Sequence, residues 1–418
     1  MSSGTVRRVR RNSVGILAVA ALTALPLLAH AKPKPIVVGI TAWLGSIPGR
    51  SIADGATLAA EEINAKGGVN GRPIKLVIED NHNSTTDAIR SFQRMVREDH
   101  VVAIVGDFTS EVGLALEPWA ARMHEPFLIT GAASNKLTEF VHANYAQHKY
   151  IFEPNLNSGE LAQNICDAAK SVLVGKLHMK TAVVMSEDAA WTLPLDAGFN
   201  KCLPKAGLKV LKDIRFAPNT SDFTPIYQQI EAMHPDVIIT GWAHVGVKPT
   251  TQWAEQNVPI PLMGISSQAT STTFWKATNG ATQGVITIAP AAAGVAITPK
   301  TQPFMKAYQA KFHTSPAYTG FTTYDAMYAL AAAIERAKST KAGPLVAALA
   351  KTDRVGTEGP MQFNGPKARF ANGIVYGKGH VRWIDVQWQD GTQKVIWPAD
   401  LANAKPKFPS FVKLPGSK

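Results

Sequence analysis

Between Gly39 and Pro73 the chain runs from a short apolar segment through a polar loop into a helix-periodic stretch, then a double-glycine turn and the extended segment PIKLVIED. The hydrophobic period changes from that of a buried strand to that of an amphipathic helix and back, as in one βα unit of a parallel sheet. Ile36–Thr41 supplies the strand. Over Ser51–Lys66 the residues Ile52, Ala56, Ala59, Ala60 and Ile63 share one helical face, and Gly67-Gly68 ends the helix.

The same order repeats. Strands are predicted at 74–79, 101–105 and 126–130, with helices at 85–98 and 112–123 between them. After Tyr150–Pro154 a second series follows, with helices at 158–174, 195–206, 223–233 and 250–256 and strands at 181–185, 209–216, 236–240 and 261–264. An apolar run at 284–289, a long helix at 322–338 and a helix at 345–350 follow, and beyond Gly356 the chain turns β-rich, with Trp383, Trp388 and Trp397. The expected fold is α/β: two similar parallel-sheet lobes joined by a multi-strand hinge, with a ligand cleft between them. Lobe 1 is assigned residues 32–150 plus 284–356, and lobe 2 residues 151–283 plus 357–418. No low-complexity linker separates them, which implies several short crossings.

Residues 1–31 read as a secretory signal. Arg7, Arg8, Arg10 and Arg11 precede an apolar Val14–Leu28, and Ala29-His30-Ala31 forms an A-x-A cleavage site. The apolar stretch is shorter than the roughly 20 residues of a spanning helix, so an exported, periplasmic protein is expected. Of the formal charge of +12, four positive charges belong to this leader, leaving +8 scattered over the mature chain. With no basic run interleaved with aromatics, nucleic acid is not an expected partner. Cys166 and Cys202 are the two cysteines, an even count that favours a disulfide in an exported protein. Each falls on a helix flanking the strand at 181–185.

The segments ITAWLG, DGATLAAEEINAKGGVNGRPIKLVIEDN, VVAIVGDFTS, PFLITGAASNKLTE, YDAMYALAAAIERA and EGPMQFN resemble the type I periplasmic solute-binding proteins of the branched-chain amino acid (Leu/Ile/Val) transport family. The resemblance spans Ile36 to about Pro398 and is most specific at NAKGGVNGRP. It implies two lobes with three hinge crossings, one small solute in the cleft and delivery to an ABC permease. The chain is then expected to act as a monomer, without cofactor or metal. A ligand-sensing receptor of the same fold is the alternative role, and transport by a permease separates the two.

In open α/β sheets ligands bind beyond the carboxyl ends of the strands, where helix N-termini favour anions. Gly106–Ser110 and Gly131–Ser134 follow two such strands and offer the hydroxyls of Ser110 and Ser134. Both serines also suit helix capping. By the resemblance, Ser110, Ala132 and Ser134 hold a ligand carboxylate. Trp43, Trp191, Trp242 and His244 also follow strand ends and are candidate cleft walls.

One departure bears on the ligand. The resemblance calls for an acid in the loop after the strand at 236–240, where it would neutralise an amino-acid ammonium. Here Gly241–Lys248 contains none. An unpaired buried ammonium costs several kcal/mol. The alternatives are that Asp107, Glu111 or Asp188 turns inward, or that the ligand lacks an ammonium and is a small aromatic or aliphatic carboxylate or an amide. No G-x-x-x-x-G-K-[ST], H-E-x-x-H, G-x-S-x-G or C-x-x-C occurs, and the 11 histidines show no metal-ligand spacing, so no enzyme activity is expected.

Overall fold

A computed structural model describes residues 1–8 and 33–416. The apolar leader and the cleavage site at Ala31 lie outside the described residues. The chain divides into two units, Met1–Pro33 and Lys34–Lys418, and the second contains all the helices and strands of the described residues.

Within that second unit, near-continuous runs of Ile, Val and Leu build two sheets covered by helices on both faces. The first sheet holds β1 (Ile36–Ala42), β2 (Ile74–Asp80), β3 (Ile104–Gly106), β4 (Phe127–Ile129) and β5 (Ile151–Phe152), in the order β2-β1-β3-β4-β5. All its neighbours are parallel. Helix Ile47–Ala65 starts four residues before its predicted first residue. Ser46 Oγ caps it by accepting the Gly49 N–H at 3.0 Å, and Pro48 suits a first turn that needs no N–H. This helix lies along the helix Tyr318–Ala337 so closely that a Cβ on Gly55 would meet the Gly320 carbonyl at 2.6 Å.

The second sheet contains β6 (Thr181–Glu187), β7 (Lys209–Phe216), β8 (Val237–Trp242), β9 (Leu262–Ser266) and β10 (Ile286–Ala289). A hairpin of β11 (Asp353–Val355) and β12 (Pro360–Gln362) stands apart, and β13 (Ile384–Gln389) and β14 (Thr392–Trp397) rejoin the second sheet, whose order is β14-β13-β10-β9-β8-β6-β7. From β7 to β10 the neighbours are parallel, whereas β13 and β14 add an antiparallel edge. The first five strands of each sheet therefore wind in the same order, 2-1-3-4-5. Each sheet reverses direction once, between β1 and β3 and between β6 and β8, and a doubly wound sheet opens its binding crevice at that reversal.

The assignment of residues 284–356 to lobe 1 differs from the strand pairing. β10 continues the second sheet, with Ile286 opposite Met263, and only after Ala289 does the chain leave it. The helices Thr301–Phe312 and Tyr318–Ala337 then pack on the first sheet's helix Ile47–Ala65. The chain passes between the sheets three times: after β5, after β10 and between β12 and β13. Cys166 and Cys202, on the packed helices Ser158–Ala169 and Thr192–Ala206, form a disulfide with Cα atoms 5.9 Å apart. No helix among the described residues is long and apolar enough to cross a membrane.

Candidate functional site

The two reversal points supply the loops that meet. Beyond β3 come Phe108 and Ser110. Beyond β6 and β8 come Trp191, Ala243 and His244. They enclose a cavity completed by Gly131, Ala133, Asn155, Leu161, Ile265, Ser267, Thr270, Ile288, Tyr318 and Trp383. The space measures about 30 Å³, counted as room for the centres of water molecules, which is room for about one or two waters. A wider groove of about 660 Å³ runs beside the disulfide, but it is open and no strand end reaches it.

Residues of both lobes seal the cavity. The Phe108 and His244 rings lie 5.7 Å apart, and Tyr318, whose hydroxyl donates to the Gly131 carbonyl at 2.8 Å, donates its backbone N–H to Thr270 Oγ1 at 3.1 Å. Tyr318 also packs on Trp383 at 5.4 Å, and the Trp383 indole donates to Glu358 Oε2 at 2.6 Å.

On the first lobe, Ser110 Oγ accepts the N–H groups of Ala133 and Ser134 at 3.1 and 3.0 Å, which leaves its own proton to donate. Asn155 Nδ2 donates to the carbonyls of Gly131 and Ala132, and its buried Oδ1 has no partner.

On the second lobe the chemistry centres on Glu187, the last residue of β6 and fully buried. Its Oε1 accepts from the Trp191 indole at 2.8 Å and from His244 Nδ1 at 2.5 Å. Its Oε2 accepts the backbone N–H groups of Ala243 at 3.0 Å and His244 at 2.8 Å. Burial alone would raise this carboxyl, but the adjacent imidazolium and these donors hold it below the usual range. Burial opposes charge on His244 too. Glu187 first, then Glu111 and Asp107, outweigh it and raise the imidazole.

Of the residues expected at the site, the structure brings Ser110, Trp191 and His244 to the cavity. The others sit elsewhere. Trp43 stacks behind Phe108, with ring centroids 6.3 Å apart, and so forms a second layer. Ala132 packs into the first lobe's core with Ile129 and Leu137, while its neighbours Gly131 and Ala133 line the space. Ser134 is 1% exposed and its Oγ has no partner; its N–H is taken by Ser110. Trp242 closes β8 on the core side, where its indole donates to the Met185 carbonyl at 2.9 Å. At Trp242, the last residue of β8, the pleat turns the indole to the core while the next residue, Ala243, lines the cavity.

None of the acids considered as stand-ins lines the cavity. Asp107, at φ 67°, is buried against Gly113, and burial pushes its carboxyl well above the usual range. Glu111 accepts the N–H of Ala190, and Asp188 pairs with Arg215 at 2.8 Å. Glu187, Phe108, Asn155, Tyr318 and Trp383 were not among the candidates. The signal for Glu187 is an acid just past the predicted strand end at Met185. Among the described residues no group of three or more His, Cys, Asp or Glu side chains is placed to hold a metal ion.

Two α/β lobes, with loops from both meeting on a small space at their strand ends, define the architecture of a hinge-type solute-binding protein. The chain belongs to the periplasmic binding protein family, whose profile matches residues 36–380. It is similar to the Leu/Ile/Val-binding protein homolog 7 of Brucella abortus (strain 2308), with 24% identity over 378 residues, 86% of this chain and 90% of that one. Its fold is shared by the branched-chain amino acid transporter substrate-binding protein LivJ from Streptococcus pneumoniae, solved in complex with isoleucine. That chain has a TM-score of 0.75 and 21% identity, over 87% of this chain and all of that one. It is shared equally by an ABC transporter solute-binding protein from R. palustris in complex with benzoate, with a TM-score of 0.75 and 19% identity, over 91% and 99% of the two chains. Members of the family are exported to the periplasm and bind small molecules.

Proposed function

We propose that the protein captures a small solute with a carboxyl or amide head and an apolar body, and delivers it to the membrane permease of an ABC importer. The observation that carries this reading is the cavity itself: it is enclosed by both lobes at the carboxyl ends of their strands, and it is walled by aromatic and aliphatic side chains with a few polar groups. Solute docks on the lobe bearing Ser110. The lobe bearing Trp191 and His244 then rotates over it and excludes water. Affinity reflects the difference in interaction between open and closed forms, not the closed contacts alone. The structural neighbours that bind isoleucine and benzoate support a carboxylate-bearing solute of about that size. The reading includes removal of the leader near Ala31 and action as a monomer, without nucleic acid.

The test is a thermal-shift screen of the mature protein against amino acids, small aromatic and aliphatic acids and their amides, since a ligand that binds only the folded form raises the melting temperature by mass action. Uptake of the best ligand should be lost on deletion of the gene. Retained uptake with an altered transcriptional response would instead support a sensor.

A further inference from the structure

The loop after β8 has no acid, yet an acid stands beside the cavity. What Glu187 can do there is fixed by its partners. A carboxylate offers about four acceptor positions, and here the Trp191 indole, His244 Nδ1 and two backbone N–H groups fill four. Glu187 therefore has nothing left for a ligand ammonium. No Asp, Glu, Lys or Arg is among the residues lining the cavity. His244 does line it, and with Nδ1 turned to Glu187 its opposite ring nitrogen, Nε2, has no hydrogen-bond partner among the described residues.

The pair is neutral overall but oriented. Its negative end is saturated by donors on the protein side, and its positive end is the His244 ring edge on the cavity. Across the space stands the N-terminus of the 14-residue helix Ser110–Met123, a second partial positive charge, with the Ser110 proton free to donate. Both walls suit a negative head group.

We infer that His244, held as an imidazolium by Glu187, is the counter-charge for the solute, and that the solute is a small apolar monocarboxylate without an α-ammonium group. This rests on the solute-binding role proposed above and narrows it. Three acids act on the imidazole: Glu187 from β6, Glu111 from the facing helix and Asp107 from the loop after β3. Burial raises the Asp107 carboxyl, and the carboxylate of Glu111 accepts the Ala190 N–H. Because Glu187 raises His244, its charge is present at acid pH and is lost as pH rises through the raised value.

The experiment uses calorimetric titration of the mature protein with 4-methylpentanoate, 4-methylpentanamide and leucine, which share one apolar body, and with benzoate and benzamide. The expected result is an acid-over-amide preference, and discrimination of about 100-fold or more between 4-methylpentanoate and leucine. Affinity for the preferred acid should fall as pH rises through the His244 titration. Glu187→Gln should keep binding at acid pH and move that fall to lower pH, and His244→Asn should flatten it. Leucine binding as tightly as 4-methylpentanoate, or a wild-type affinity independent of pH from 5 to 9, overturns the assignment and leaves the solute-binding role standing. If none of the five probes binds and gene deletion leaves uptake intact, both fall together.

Discussion

The carboxylate of Glu111, at the start of helix Ser110–Met123, accepts the backbone N–H of Ala190 in the loop after β6, at 2.7 Å. It is a hydrogen bond from one lobe to the other at the lip of the cavity, made only when the lobes are together. Glu111→Ala removes it without touching the lining. The expected result is a 3- to 10-fold weaker ligand, corresponding to about 0.5–1.5 kcal/mol, expressed mainly as faster release. Stopped-flow dissociation measures it, and an unchanged off-rate would show that the contact does not hold the closed form.

Ser110 and Ser134 should separate sharply. Ser110→Ala leaves the buried N–H groups of Ala133 and Ser134 without an acceptor, so it should cost about 1–3 kcal/mol of stability and weaken the ligand as well. Ser134→Ala removes a buried hydroxyl that has no partner and should be near neutral for both. Urea denaturation and calorimetry decide; equal losses in the two variants would point to a carboxylate clamp shared between them.

The disulfide closes a separation of 36 residues, which in the loop-entropy account is worth about 3–4 kcal/mol. Replacing Cys166 and Cys202 by Ala should lower the melting temperature by several degrees. Neither cysteine lines the cavity, so ligand affinity should hold. A large affinity loss at a temperature where the variant is folded would contradict that separation.

Glu125 is 8% exposed and its Oε1 has no partner, and burial raises its carboxyl to about 8. A carboxyl raised on folding contributes stability that is full below its unfolded value and lost as pH rises through the folded one. Glu125→Gln should therefore match the wild type near pH 5 and melt several degrees higher at pH 9, a gain of about 2–4 kcal/mol. Melting curves across that range test it, and a pH-independent difference would refute the cause.

Element order was legible because strand and helix periods are local. Lys209–Phe216 is predicted and found with the same bounds, and the repeated series foreshadows the repeated 2-1-3-4-5 winding. The cavity was legible only in part. Ala132 and Trp242 each sit one position from a residue that lines the cavity, Ala133 and Ala243; for Trp242, at the end of β8, which face meets the cleft depends on register, and register is set by neighbouring strands. Tyr318 and Trp383 are brought in by tertiary packing from parts of the chain whose own patterns describe a helix and a strand. The acid-free loop after β8 is a correct reading with an incomplete consequence, because Glu187 enters from the adjacent strand.

The three passages between the sheets also limit how the protein can move. Each passage is a chain of fixed length anchored at both ends, so sliding or separating the lobes would stretch at least one of them. A rotation about the line through the passages stretches none. Opening is then described by a single angle, and it parts the lips at Glu111 and Ala190 that one hydrogen bond joins. Occupancy of a cavity deep between the lobes is thereby converted into the spacing of two surface points, a signal that any partner touching both lips can read without contacting the solute.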